Sequence, residues 1–183
     1  MKTIEDGKIA YVSLSLGDVS RGLFDAFVRR QEVGYCLRYE QGAWKEKYCP
    51  FIDDWSEKDY EAMTARLKDI LAKGGDVFAA FFEGELKAFA ALSPEFFGRR
   101  REYLDLAELY VSAEMRGKGI GSRLFELTAS RARAKGARKL YISAHSAVES
   151  QAFYCAMGCV DAAEPDAAHV AAEPFDRQLE YRL

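Results

Sequence analysis

The 183-residue sequence is short of histidine (two), cysteine (four), proline (four) and net charge, which is −3 from 26 Lys and Arg against 29 Asp and Glu. Each shortage excludes something. Without a basic surplus there is no global electrostatic case for nucleic acid or an anionic membrane as the main partner. The two histidines and Cys36, Cys49, Cys155 and Cys159, at their spacings, form no zinc pattern and no dense disulfide framework, so reduced thiols and no metal are expected. No stretch approaches the roughly 20 apolar residues of a membrane span, and the longest apolar run, Val77–Phe82, suits a buried strand. Met1–Gly7 lacks an apolar core of signal-peptide length, which with the thiols points to the cytoplasm.

What is present is the composition of a globular chain, 49% hydrophobic and 30% charged. The length suits one domain over residues 1–183, large enough to bury a core. Ser20 as cap, with Leu23, Phe24, Phe27 and Val28 on one face, predicts a helix over 20–31. Alternation around Gln41-Gly42 predicts a short hairpin, Tyr35–Tyr39 against Trp44–Cys49. Ser56-Glu57-Lys58-Asp59 resembles a capping box, and Tyr60, Met63, Leu67, Ile70 and Leu71 follow at helical spacing until Gly74-Gly75. Strands Val77–Phe82 and Lys87–Leu92 flank the turn Glu83-Gly84-Glu85. The second half reads strand Leu104–Val111, helix Gly119–Lys135, strand Lys139–Ala144 and helix Glu149–Met157, an order that implies a parallel strand pair with a crossover helix. Ala162–Ala172 reads as loop, and Leu179, Tyr181 and Leu183 alternate like an edge strand, a candidate to be shared in a homodimer.

Three of the 14 glycines, Gly117, Gly119 and Gly121, fall between that strand and its helix. Glycine lets the backbone turn sharply and come close to a ligand. The first N–H groups of a helix have no intrahelical acceptor, and with the helix dipole they seat phosphate oxygens. Arg116, Lys118 and Arg123 add positive charge, so the segment suits a phosphorylated cofactor. The spacing fits neither a P-loop nor a dinucleotide fingerprint. Taken alone, it also fits a glycine-rich turn that only reverses the chain.

Arg116-x-x-Gly119-x-Gly121 after Leu109-x-Val111 resembles motif A of the GCN5-related N-acetyltransferase (GNAT) family, Arg/Gln-x-x-Gly-x-Gly/Ala. Downstream, Ser150-Gln151-Ala152-Phe153-Tyr154 through Gly158-Cys159 is similar to that family's later helix. The resemblance covers residues of about 104–160. It implies an α/β (α+β) fold with one mixed, twisted sheet flanked by helices. Residues 1–103 would be the acceptor side, 104–160 the acetyl-CoA-binding core and 161–183 a loop and closing strand. The implied activity is transfer of an acetyl group from acetyl-CoA to an amine of a small molecule or peptide, by direct attack. The implied cofactor contacts are backbone groups of Leu109 and Val111 toward the pantetheine arm and of Arg116, Gly117, Lys118, Gly119, Ile120 and Gly121 toward the pyrophosphate. The N–H of Val111 would polarise the thioester carbonyl. Tyr154 matches the tyrosine that protonates the departing thiolate.

Three positions depart from the family pattern. Ala107 stands where a base glutamate is usual, Ala147 where an asparagine is usual, and Cys159 where phenylalanine is commoner. The base is open between Asp105, Glu108, His145 and water; strict alternation puts Asp105 on the face of Ala107 and Glu108 on the other. Ser146 or Ser150 would replace the asparagine's bond to the cofactor. Tyr35, Tyr39, Trp44, Tyr48, Trp55, Phe96 and Phe97, with Asp53 and Asp54, are candidates to line a pocket for a cationic acceptor, although such aromatics more often pack. Arg99-Arg100-Arg101 would suit an acidic acceptor. A catalytically reduced acetyl-CoA-binding module is the rival reading, supported by Ala107 and Ala147.

Overall fold

The middle of the chain is apolar on both sides of its strands. In the computed structural model, which describes residues 4–6 and 9–183, Val77, Ala79, Phe89 and Ala91 face one layer while Ala80, Ala88 and Ala90 face the other. Strands β5 (Asp76–Phe82) and β6 (Glu85–Leu92) are therefore central, covered on both faces. The remaining strands are β1 (Ile4–Asp6), β2 (Ile9–Leu14), β7 (Tyr103–Val111), β8 (Lys139–Ala144), β9 (Val160–Asp161) and β10 (Arg177–Arg182). They make one eight-stranded sheet in the order β1-β2-β5-β6-β7-β8-β10-β9. Every pairing is antiparallel except β7 with β8, the pair joined by the crossover helix α2 (Ile120–Ala134). Helix α1 (Glu57–Ala72) packs Met63, Leu67 and Ile70 on one face of the sheet. Helix α2 places Ile120, Leu124 and Phe125 on the other, and α3 (Val148–Ala156) packs Phe153 and Tyr154 beside it.

The mixed α/β fold, the capping box at Ser56 and the strands and helices from residue 57 to 157 agree with the sequence reading. In the capping box, both the Ser56 N–H and its hydroxyl donate to Asp59 Oδ2 at 2.7 Å.

Elsewhere the structure corrects the sequence. Residues 20–31 form no α-helix. Two short 3-10 turns occupy Leu16–Asp18 and Arg21–Phe24, and a strand starts at Arg30. Phe24 and Phe27 are buried against Phe89, but Val28 is exposed, so the apparent apolar face is a pair of anchors in a turn rather than a stripe. The hairpin is longer than predicted, β3 (Arg30–Glu40) against β4 (Ala43–Asp54), around a two-residue turn with φ 53° at Gln41 and 82° at Gly42. It is a separate two-stranded sheet, fastened to the body where the Leu37 N–H donates to the Ser146 carbonyl at 2.8 Å. Ala162–Ala172 contains a helix, α4 (Ala167–Ala172), because Asp166 caps it by accepting from the N–H groups of Ala168 and His169. The closing strand β10 is not a bare edge, since it lies between β8 and β9. Residues 1–3 and 7 of the N-terminal stretch lie outside the described residues.

Gly75 ends α1 with no room for a side chain. A Cβ there would sit 2.5 Å from Ile70 Cγ2 and 2.6 Å from the Leu92 carbonyl oxygen. We predict that Gly75→Ala destabilises the protein by about 1–3 kcal/mol, read as a melting temperature several degrees lower. An unchanged melting curve would contradict this packing.

Candidate active site

β7 and β8 stay together only briefly. They pair at Tyr103 with Lys139, Leu104 with Leu140 and Asp105 with Tyr141. Against β6, Leu106 pairs with Leu92 and Glu108 with Ala91, so Ala107 is an extra residue, a β-bulge. The β7–β8 pairing ends just before this point and the strands part. The Ser112 N–H donates to the Lys87 carbonyl at 2.8 Å. Antiparallel alternation then directs the backbone of Tyr110 and Glu108 to β6 and that of Leu109 and Val111 into the opening.

The glycine turn closes the top of this opening. Ser112 is fully buried, and its Oγ accepts from the Val28 N–H and donates to Glu114, which fixes where the chain leaves β7. Arg116, Gly117, Lys118 and Gly119 are exposed, with Gly117 at φ 73° and Gly119, the N-cap of α2, at φ 78°. A side chain is strained at such φ values. The Arg123 N–H to the Gly119 carbonyl is the first bond of α2, so the N–H groups of Ile120, Gly121 and Ser122 precede its ladder. The Ile120 side chain is core, leaving only its backbone for a ligand. Arg116 Nε donates to the Val111 carbonyl at 3.2 Å. A Cβ on Gly121 would lie 3.5 Å from both Val111 and Phe153. Gly121 is thus where β7, α2 and α3 meet.

Tyr154 is half-buried next to Phe125 and Phe153. Burial raises its phenol pKa well above the usual tyrosine value, so it stays an O–H donor. Ser150 is half-buried on α3, while Ala147 is fully buried with Val33 and Cys36, a packing position under the hairpin. Cys155 is exposed.

On the other side of β7 lies a cavity of about 760 Å³ between that strand, α1, Ser143, α4 and the segment after α4. The bulge corrects the expected facing of β7. Asp105 and Glu108 both line the cavity, with Ala107 and Tyr110, because the extra residue resets the alternation. Glu108 is 7% exposed, ion-paired with Arg66, and accepts a hydrogen bond from Tyr110. Burial outweighs these partners and pushes its carboxyl up to about 7. Asp105 Oδ2 is 3.3 Å from His169 Nε2, a pair that raises the His169 pKa, while Asp105 Oδ1 is buried with no hydrogen-bond partner among the described residues.

His145 lies at a tilt against Phe51, ring centroids 5.8 Å apart, and accepts from the Ala147 N–H through Nδ1. Burial lowers its pKa, and it does not line the cavity. Of the aromatic candidates, Trp55 lines the cavity; Tyr35, Tyr39 and Tyr48 are exposed on the hairpin, and Phe97 packs on Tyr103 and Tyr141. Arg100 and Arg101 gather with Arg138 beside the starts of β7 and β8, at the opposite end of those strands. Arg66, His169, Glu173 and Asp176 are cavity residues that the sequence reading did not single out.

The model of the Acetyltransferase (GNAT) family matches residues 40–159. No curated protein matches the sequence closely enough to be counted a relative. Among solved structures, nourseothricin acetyltransferase is similar at a TM-score of 0.68 and 19% identity, over 95% of this chain and 96% of that one. A Bacillus anthracis protein described as a streptothricin acetyltransferase, in complex with acetyl coenzyme A, is similar at 0.72 and 12% identity, over 96% and 98%. The PaiA N-acetyltransferase of Thermoplasma acidophilum, in complex with coenzyme A, is similar at 0.60 and 15% identity, over 96% and 99%.

Glu108 also makes a stability prediction. Its folded-state pKa of about 7 lies above the unfolded value of about 4.3. The folded state therefore binds its proton more tightly, and stability declines as pH rises through that window. Glu108→Gln removes this loss. We expect its melting temperature to equal that of the wild type below about pH 4 and exceed it by several degrees at pH 8. Equal melting at both pH values would show that Glu108 is ionised at no cost.

Proposed function

The chain belongs to the GNAT acetyltransferase family and is an acyltransferase; on that premise we propose that it moves the acetyl group of acetyl-CoA to a primary amine of a small-molecule acceptor, by direct attack in a ternary complex. The whole chain is read as one N-acetyltransferase domain. The observation that carries the reading is the parting of β7 and β8 at the Ala107 bulge. It leaves Leu109 and Val111 without a strand partner on one edge of β7, the Val111 carbonyl bonded only to Arg116, and places Glu108 in a cavity.

We assign the donor side as follows. Backbone N–H groups from Arg116 to Gly121 hold the pyrophosphate at the start of α2. Leu109 and Val111 pair with the pantetheine arm as a strand would, and the Val111 N–H steadies charge on the thioester oxygen. Arg116 adds positive charge, and Ser150 supplies a hydroxyl from α3.

The acceptor amine must lose a proton, since an alkylammonium has a pKa near 10. Glu108 is the group suited to take it, directly or through water, because burial holds its carboxyl close to neutral pH. The amine nitrogen then bonds to the carbonyl carbon, the carbon–sulfur bond breaks, and the Tyr154 O–H protonates the sulfur. Glu108 gains the proton that the ammonium loses; the nitrogen sheds a second proton as the amide forms, and that proton restores the Tyr154 phenol, directly or through water, so protons and charge balance. His145 lies outside the cavity and is not needed. Glu108 in the cavity and Ala147 in a packing role weigh against the reading as a non-catalytic binding module.

Two variants test these roles. Tyr154→Phe is expected to lower kcat about 10²-fold while acetyl-CoA affinity, measured by calorimetry, stays within about twofold. Glu108→Gln is expected to lower kcat similarly and to erase the acidic limb of the pH–rate profile, which in the wild type bends near 7. Full turnover by either variant would remove that residue from the mechanism. Acetyl-CoA binding without transfer to any of a broad panel of amines would restore the binding-module reading.

A further inference from the structure

The charges around the cavity do not balance. Its cations are Arg66 and His169, and both are committed, Arg66 to Glu108 and His169 to Asp105. Of the carboxylates, Asp59 is occupied by the capping box at Ser56. That leaves Asp176, Glu173 and the free oxygen of Asp105. Asp105 is only 8% exposed, and its Oδ1 is buried with no hydrogen-bond partner among the described residues. Asp176 accepts from the Ser143 hydroxyl and the Ser146 backbone, yet burial and the neighbouring Glu173 charge push its carboxyl up to about 6. Arg38, the cation nearest to it in effect, lies over the Phe175 ring with its guanidinium bonded to the Leu37 carbonyl. Asp105 has His169 beside it, whereas Asp176 is half-buried with only the charge of Arg38 to offset it; a carboxylate drawn partly out of water with so little counter-charge costs free energy that a bound cation recovers.

The walls suit a cation on a short hydrocarbon. Trp55 and Tyr110 line it with rings that already carry the Arg29 guanidinium, at 5.9 and 5.1 Å from their centroids, so they serve here as apolar wall together with Ala62, Met63, Ala107 and Ala168. Glu108 stands on the β7 side of the cavity, whereas Asp176 is held from the β8 side through Ser143. Two carboxyl groups thus face one cavity from different sides, Glu108 from β7 and Asp176 from the segment just before β10.

We propose that the acceptor is a small dication: one amine is acetylated at Glu108, and a second ammonium group is held by Asp176 and Glu173, with Asp105 beside them. The proposal deepens the acetyl-transfer reading and rests on it for the identity of the first amine. An acidic acceptor does not fit, because every cation lining the cavity already has a carboxylate.

Calorimetric titration of the full chain with putrescine and, separately, with butylamine tests this. The two probes share a carbon chain and differ in the second charge. Putrescine is expected to bind at least about tenfold more tightly, the effect of one additional partly buried ion pair, and added salt should narrow the gap. Asp176→Asn should remove most of the gap and leave butylamine affinity within about twofold; Glu173→Gln, on a more exposed side chain, should narrow it without threatening the fold. Equal affinity for the two amines, or a gap that survives both substitutions, would overturn the proposal. Acetyl-CoA is titrated in a third run. If it binds and putrescine has no advantage, the dication site falls alone. If putrescine binds preferentially and acetyl-CoA does not bind, the site stands and the donor reading falls.

Discussion

One inserted residue organises the centre of this molecule. A regular β7 would alternate without interruption and turn Glu108 away from Asp105. Ala107 breaks the alternation, so the strand bends and its two acidic residues reach the same cavity. The pairing with β8 stops at Asp105, which frees a row of backbone groups beyond it. Such groups are costly to leave without partners in a sheet. The opening between the strands is therefore a place where the backbone itself is prepared to bind, before any side chain is considered.

The rest of the fold holds that opening apart. Ser112, buried and bonded to Val28 and Glu114, sets the path out of β7. Gly117 and Gly119 let the chain turn into α2. Gly121 brings Val111 and Phe153 within contact of one another's helix and strand. On the far side, the hairpin bonds to Ser146 just before α3 begins, so the helix bearing Tyr154 is supported from both directions.

The sequence revealed the donor half better than the acceptor half, for physical reasons. Glycines with positive φ, a helix start and an aromatic pair before Gly158 are local signals, readable over a few residues. The facing of Glu108 is not local. It depends on a register shift against β6 that no residue in β7 announces, since alanine is at home in either arrangement. Asp176 is likewise placed by tertiary contact, following a proline in a segment that reads as loop. The false helix at 20–31 came from Phe24 and Phe27, whose spacing fits a helical stripe and a pair of turn anchors equally well. The hidden cap at Asp166 turned an alanine-rich stretch into helix where the prolines on either side of it, Pro165 and Pro174, suggested none.

The cavity wall comes from separate stretches of chain: α1, β7, one residue of β8 and the segment around α4. The glycine turn and α3 contribute nothing to it. Substitutions on the two sides of β7 therefore act on different neighbours, and their effects on stability should largely add. A lineage could redraw the outer wall, through α1 and the short capped helix at 167–172, without disturbing the turn at 116–121. The strand between them works as a party wall, shared by two tenants who can renovate independently.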